Sequence, residues 1–263
     1  MSVRIETHGH AIHVTLDSPT TRNALTDEMV DVLRHALVQA RRQPNVRAIV
    51  LCGAGGNFCA GGDFGRFKVW MTTPSPRDID DPIARHNRAL GALMEQWVDA
   101  DVATIGVVEG AAHGAGVGLA ACCDVVLAAS DSTFAMPDVT IGMPPAQVAP
   151  FIVARVGHGV ALRWMLTGRS IDAHQALAAG LVDEVCAPDM LHDRLRRWLD
   201  DLSHAEPAAL RATKAIVRHR RNQPLSSTLD YAAQAFASAL RSGTAAEGIA
   251  AFDEKRPPRW VTK

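Results

Sequence analysis

Hydrophobic and polar residues alternate over Val3 to Thr7 and again over Ala11 to Leu16, with Gly9 and His10 between them, which predicts a β-hairpin closed by Asp17, Ser18 and Pro19. The period then lengthens to that of a helix. Met29, Val30, Leu33, Leu37 and Ala40 recur at helical spacing behind Thr26, a hydroxyl suited to the N-cap. Arg41 and Arg42 suit the negative end of that helix, and Pro44 with Asn45 stops it. Val46 to Cys52 is a continuous apolar run, as expected for a strand covered on both faces. After a glycine-rich loop, Gly53 to Asp63, the prolines and charges of Thr72 to Pro82 cannot continue a helix and read as a loop or lid. Ile83 to Ala100 resumes helical spacing through Leu90, Leu93, Met94 and Trp97, and Val102 to Val108 and Val125 to Ala128 read as further buried strands.

From Gln147 onward the pattern is mainly helical, clearest over Ala173 to Ala178, Leu191 to Leu202, Ala208 to Arg220 and Ser226 to Leu240, with Leu181 to Val185 as the one strand. Thr244 and Glu247 have the spacing of a capping box before a last short helix, which runs out in Phe252, Asp253, Glu254, Lys255, Arg256 and Pro257. Strands alternating with helices through the first two thirds predict an α/β layer architecture. The unit strand, glycine loop, helix occurs twice, at Val46 to Asp63 and at Val102 to Cys123, so two backbone loops could meet at one site.

Composition narrows the function classes. A chain of 263 residues with 48% apolar residues can fill a core, and a formal net charge of -1 gives no basic surface for nucleic acid or an anionic membrane. The five cysteines are odd in number and lack CxxC spacing, which fits reduced thiols. Met1 to Asp17 lacks a signal pattern and no apolar run reaches membrane-spanning length, so a cytoplasmic protein is expected. The histidines are scattered without a metal-ligand grouping, so no metal is expected.

Candidate chemistry concentrates between His113 and Asp138. Gly114, Ala115, Gly116, Val117 and Gly118 follow a buried strand, and small residues there let backbone approach a ligand and leave peptide N–H groups free at a helix start. Such groups bind an anion, or a negative charge that develops during reaction. A close-packed strand-to-helix turn explains the same residues equally well. The Gly53 to Asp63 loop is not a nucleotide P-loop, because no Gly-Lys-Ser/Thr follows.

Taken in order, Phe58-Cys-Ala-Gly-Gly-Asp63, Gly110 to Gly118 with Asp124, Phe134 to Gly142, Leu166-Thr-Gly168, Ala176 to Val182 and Phe252 to Arg256 resemble the enoyl-CoA hydratase/isomerase, or crotonase, superfamily over nearly the whole chain. The resemblance implies a spiral of β-β-α units over residues 1–200 and a helical C-terminal region, 201–263, used in trimerisation, in a homotrimer or a hexamer of paired trimers. It implies an acyl-CoA substrate, coenzyme A being part of that substrate, with no further cofactor. By residue it implies that the N–H groups of Gly62 and Ala115 hold the thioester oxygen, flanked by Gly61, Asp63 and Gly114, that Ala60 lines the CoA path, and that Lys255 reaches a CoA phosphate. Holding that oxygen is the hard part of the chemistry, since removing one donor from an oxyanion hole costs about 3 to 4 kcal/mol.

The departures bear on the reaction. Typical hydratases of the superfamily carry one catalytic glutamate where this chain has Gly118 and a second where it has Asp138, shorter by one methylene or roughly 1.5 Å. A single carboxylate also serves enoyl-CoA isomerases. Ile141 to Phe151 looks most like hydratases of branched, carboxylated substrates of the methylglutaconyl- and isohexenylglutaconyl-CoA type. The expected function is therefore an acyl-CoA hydratase with Asp138 as the proton carrier. Isomerase, thioester hydrolase or decarboxylase, dehalogenase, and a non-catalytic acyl-CoA-binding protein are the alternatives. His113 is a second proton carrier, a contact for a substrate carboxylate, or a packed wall residue; Arg163 is a carboxylate contact or a surface cation. Asp63 and Asp124 are expected to cap helix starts, and Trp70 and Met71 to line the acyl pocket or the core.

Overall fold

The computed structural model describes residues 2–72 and 81–261. Most of the expected lid, Thr72 to Pro82, lies outside the described residues. The N-terminal hairpin forms as read, β1 (Val3–His8) antiparallel to β2 (Ala11–Leu16). From β2 the sheet continues in parallel through β3 (Ala48–Gly53), β4 (Ala103–Val108), β6 (Val125–Ala129) and β9 (Glu184–Cys186), in the order β1-β2-β3-β4-β6-β9. A second sheet joins β5 (Ala111–His113), β7 (Thr133–Ala135) and β8 (Ser170–Asp172).

The apolar runs of β3 and β4 are continuous because both faces of the large sheet are covered. Ile49 and Leu51 join the main core with Leu33 of α1 (Asp27–Arg42) and Met94 and Trp97 of α3 (Pro82–Val98). Val50 and Ile105 point the other way, onto Leu191 and Leu195 of α8 (Leu191–Ser203). Thr26 caps α1 as expected, its hydroxyl accepting from the Met29 N–H at 3.3 Å.

Short helices that no periodicity revealed carry the loops of interest: α2 (Phe64–Met71) after the first glycine loop and α4 (Ala115–Ala121) after the second. Further on come α5 (Ala149–Val156), α6 (His158–Thr167) and α7 (Ala173–Ala178), then the C-terminal α9 (Pro207–Asn222), α10 (Leu225–Arg241) and α11 (Thr244–Asp253). Among the described residues no helix is long and apolar enough to cross a membrane. All five cysteines are free, and burial pushes the Cys59 thiol up to about 12.

Three local expectations are corrected. Leu181 to Val185 is not the one late strand: pairing begins at Glu184, and β8 also lies there, too short to show alternation. The capping box at Thr244 does not form, because left-handed Gly243 takes the N-cap, Thr244 bonds the Ser242 hydroxyl, and Glu247 is drawn away to Arg256 and Arg259. Asp124 caps no helix; its Oδ2 accepts from the Thr104 N–H at 2.8 Å and hydroxyl at 3.0 Å and pairs with Lys214 of α9.

Lys214 is only 12% exposed and donates as well to the Val102 carbonyl at 2.9 Å, so this cluster ties a C-terminal helix to the sheet. Removing the carboxylate leaves a buried ammonium short of a partner, at a cost of about 1–3 kcal/mol. Asp124→Ala is therefore expected to lower the melting temperature by several degrees in a thermal scan, and an unchanged value contradicts the latch.

Candidate active site

The two glycine loops meet. Phe58 and Cys59 donate their N–H groups to the Ala111 carbonyl at 3.1 and 3.0 Å, and the His113 N–H returns to the Cys59 carbonyl at 2.9 Å. That lacing lays Gly61 against the start of α4. Gly61 has φ of +101°, and a Cβ there would stand 3.0 Å from the His113 carbonyl oxygen and 3.7 Å from the Ala115 nitrogen, so only glycine lets the loops approach this closely. A third segment splints the first loop: the Ala60 N–H donates to the Arg22 carbonyl at 2.9 Å and the Leu25 N–H to the Gly61 carbonyl at 2.7 Å.

Asn23 holds that splint. It is fully buried with φ of +58°; its side-chain oxygen accepts from the Ser18 N–H and its amide donates to the carbonyls of Ala54 and Asn57. Its left-handed turn was the signal available in the sequence, since asparagine tolerates that conformation better than most residues.

The lacing leaves two donors over. Ala115 is the first residue of α4, where an N–H has no carbonyl one turn back, and neither it nor the Gly62 N–H has an acceptor among the described residues. Both residues line a cavity of about 890 Å³ together with Ala60, Gly61, Asp63, His113, Gly114 and Asp138. Eight of the nine residues singled out for the site in the sequence thus converge. The ninth, Lys255, follows α11 outside this cavity, and Arg163 sits exposed on α6, also outside it. Asp63 caps α2 as expected, accepting from the Gly65 N–H at 2.8 Å.

Asp138 stands at the start of the turn Pro137–Ile141, with Oδ2 buried and unpartnered among the described residues. Burial pushes its carboxyl above the usual range, countered in part by its own backbone N–H. Leu166-Thr-Gly168 backs this turn: Gly168, at φ of +63°, lies so close that a Cβ would stand 2.7 Å from the Thr140 methyl. Burial, then the nearby Arg22 guanidinium, pushes His113 below its usual value, so its imidazole is neutral at neutral pH.

Gly118 does not face an empty socket. A Cβ there would stand 2.6 Å from the Met94 Cε and 2.9 Å from the Val148 Cγ1, so two apolar side chains occupy the space a longer residue would need. On the other side of Gly62 the Phe67 ring packs so closely that a Cβ would meet it at 2.6 Å. Phe67 stacks toward Trp70 at 5.5 Å, and Trp70 meets His86 edge-on at 4.4 Å. These three side chains wall a second lobe of about 320 Å³ that also reaches Gly62 and Ala115. Trp70 and Met71 both line the main cavity.

Residues 6–263 match the family model described as enoyl-CoA hydratase/isomerase. The chain belongs to the enoyl-CoA hydratase/isomerase family. It is similar to the 2,3-dehydroadipyl-CoA hydratase of Escherichia coli K12, at 30% identity over 93% of this chain and 92% of that protein. It is 28% identical to the (E)-benzylidenesuccinyl-CoA hydratase of Thauera aromatica, over 98% of each chain. A crystal structure of an enoyl-CoA hydratase/isomerase from Marinobacter aquaeolei superposes with a TM-score of 0.95 at 35% identity, covering 99% of both chains. The α/β architecture is accordingly the crotonase fold of this enzyme family.

Two outcomes follow from the geometry. Between the ordinary carboxylate pKa and the raised value of Asp138, the native state keeps a proton that the unfolded chain has released, so stability falls as pH rises through that window. Asp138→Asn cannot ionise; it is expected to melt above the unaltered protein at neutral pH, with the gap closing below the ordinary carboxylate range. Equal melting curves across pH contradict the buried carboxyl. Gly118→Glu must displace Met94 and Val148, at a cost of about 1–3 kcal/mol from overpacking. It is expected to lower the melting temperature without raising turnover, and a stable, more active variant contradicts the filled socket.

Proposed function

We propose that the protein hydrates an enoyl-CoA thioester through an enolate held by Gly62 and Ala115, with Asp138 as the single proton-transferring carboxylate. The observation that carries this is the pair of unengaged N–H groups sharing one cavity with a half-buried carboxylate whose Oδ2 has no partner among the described residues. Water oxygen bonds to Cβ, the alkene electron pair moves toward the thioester oxygen, and Asp138 takes the proton that the water gives up. Asp138 then delivers a proton to Cα, which collapses the enolate and restores the carboxylate. Burial raises the proton affinity of Asp138, which moves it toward the working pH and lowers the cost of taking up the proton it must later deliver.

The two relatives described above are named for thioesters of dicarboxylic acids. Together with the Ile141 to Phe151 segment, this favours a branched or carboxylated acyl group in the lobe walled by Phe67, Trp70 and His86. Arg22 lines the cavity without a carboxylate partner among the described residues and is available to a CoA phosphate. Assembly into trimers, with Lys255 serving a neighbouring protomer, is part of the same proposal. It is supported by the apolar residues that α10 and α11 leave in water, among them Leu229, Phe236, Ile249 and Phe252, the last 84% exposed.

The test is a panel of enoyl-, glutaconyl- and malonyl-type CoA thioesters followed by mass spectrometry. A mass gain of one water is expected, whereas double-bond migration, CoA release or silence contradicts hydration. Asp138→Asn is expected to cut turnover about 10²–10⁴-fold with CoA binding retained. Ala115→Pro removes the donor at a first-turn position where proline fits a helix, and should cost about 10²–10³-fold in kcat with the fold intact. Unchanged kcat in either variant removes the role assigned to that residue.

A further inference from the structure

With the Gly118 socket filled, a hydratase still needs something to hold the attacking water. One face of α3 carries Asn87, Leu90, Gly91 and Met94, spaced i, i+3, i+4 and i+7; Asn87 and Leu90 line the cavity, and Gly91 and Met94 lie buried beyond it. Met94 is the residue that fills the socket. One helical turn earlier, roughly 4.5 Å along the axis, Gly91 leaves a notch, and the carboxamide end of Gln147 occupies the position a Cβ on Gly91 would take. Gln147 directly precedes Val148, the second residue packed on Gly118, so Gln147 and Val148 grip α3 side by side.

Gln147 and Asn87 both line the main cavity with Asp138, Gly62 and Ala115. Neither amide has a hydrogen-bond partner among the described residues. Both residues are half-buried on the cavity wall, and a water molecule in the cavity can answer both the donor and the acceptor of an amide. An isolated glycine inside a helix is likewise unfavourable by about 1 kcal/mol against alanine, and here it is the vacancy that admits Gln147.

We infer that Gln147, seated in the Gly91 notch and assisted by Asn87, positions the water that adds to Cβ, in place of the carboxylate absent at Gly118. The inference rests on the hydratase proposal. A neutral amide cannot take the water's proton, so Gln147 orients the nucleophile while the proton goes to Asp138, and atoms and charge balance as in the addition above. His86, in the wall of the second lobe, is engaged with Asp27 at 3.0 Å and leaves this task to the amides.

The experiment compares the unaltered protein, Gln147→Ala, Gln147→Glu and Asn87→Ala. Each is assayed for hydration of the best thioester of the panel, and separately for exchange of the Cα hydrogens of a saturated acyl-CoA into D2O by NMR, a reaction that needs the oxyanion hole and Asp138 but no attacking water. Gln147→Ala is expected to lose about tenfold or more in kcat for hydration with KM little changed, while exchange persists at the original rate. Gln147→Glu, which keeps an oxygen in the notch, is expected to restore hydration, and Asn87→Ala to fall between. Equal loss of hydration and exchange in Gln147→Ala makes the residue merely structural and overturns the inference. So does unchanged hydration, or a rise in KM confined to carboxylated thioesters, which would make Gln147 a contact for the acyl group. If the unaltered protein exchanges Cα hydrogens yet hydrates nothing, the hydratase proposal itself fails and takes the water-positioning role with it.

Discussion

Everything in the site depends on the crossing of two backbone loops at Gly61 and Ala115. Backbone N–H groups are strong donors that a folded chain almost always satisfies, so two that stay unengaged side by side must be held open by their surroundings. Here the holding is done by the exchange between Cys59 and the Ala111 to His113 strand, and by the Arg22 to Leu25 segment that Asn23 pins in place. The donors are then fixed before any ligand arrives, which is what gives such a site its leverage over a developing oxyanion.

The second constraint is the contrast between the two positions where the superfamily pattern places carboxylates. At Asp138 the chain has a half-buried carboxylate whose Oδ2 finds no partner among the described residues, a costly arrangement that the proposed proton-transfer role accounts for. At Gly118 it has no carboxylate, and the Met94 and Val148 side chains pack where a longer side chain would begin. The close packing there, with the Gln147 amide one helical turn away at Gly91 and Asn87 about one turn further, fits the proposed site with one acid/base group.

Much of this was legible in the residues. The hairpin, α1, α3 and the buried strands follow from periodicity, because each buries one stripe or two faces of apolar side chains. The glycine loops could be found by composition, and the superfamily resemblance joined them to Asp138. Illegible were features set by contacts distant in sequence. Asp124 has the local pattern of a helix cap, but Lys214, 90 residues on, claims its carboxylate. Glu247 has the spacing of half a capping box, but Arg256 and Arg259 draw it off. Gln147 and Asn87 carried no local signal, although Gly91 in the middle of a strongly periodic helix pointed to a close approach by some other group.

The most direct measurement is a crystal structure of the protein with a 3-hydroxyacyl-CoA thioester bound. The account predicts the thioester oxygen about 2.7–3.1 Å from both the Gly62 and Ala115 nitrogens, with the Asp138 carboxylate facing Cα and the 3-hydroxyl beside the Gln147 amide. A thioester oxygen bound away from either nitrogen, or an acyl chain whose Cα is out of reach of Asp138, would contradict it.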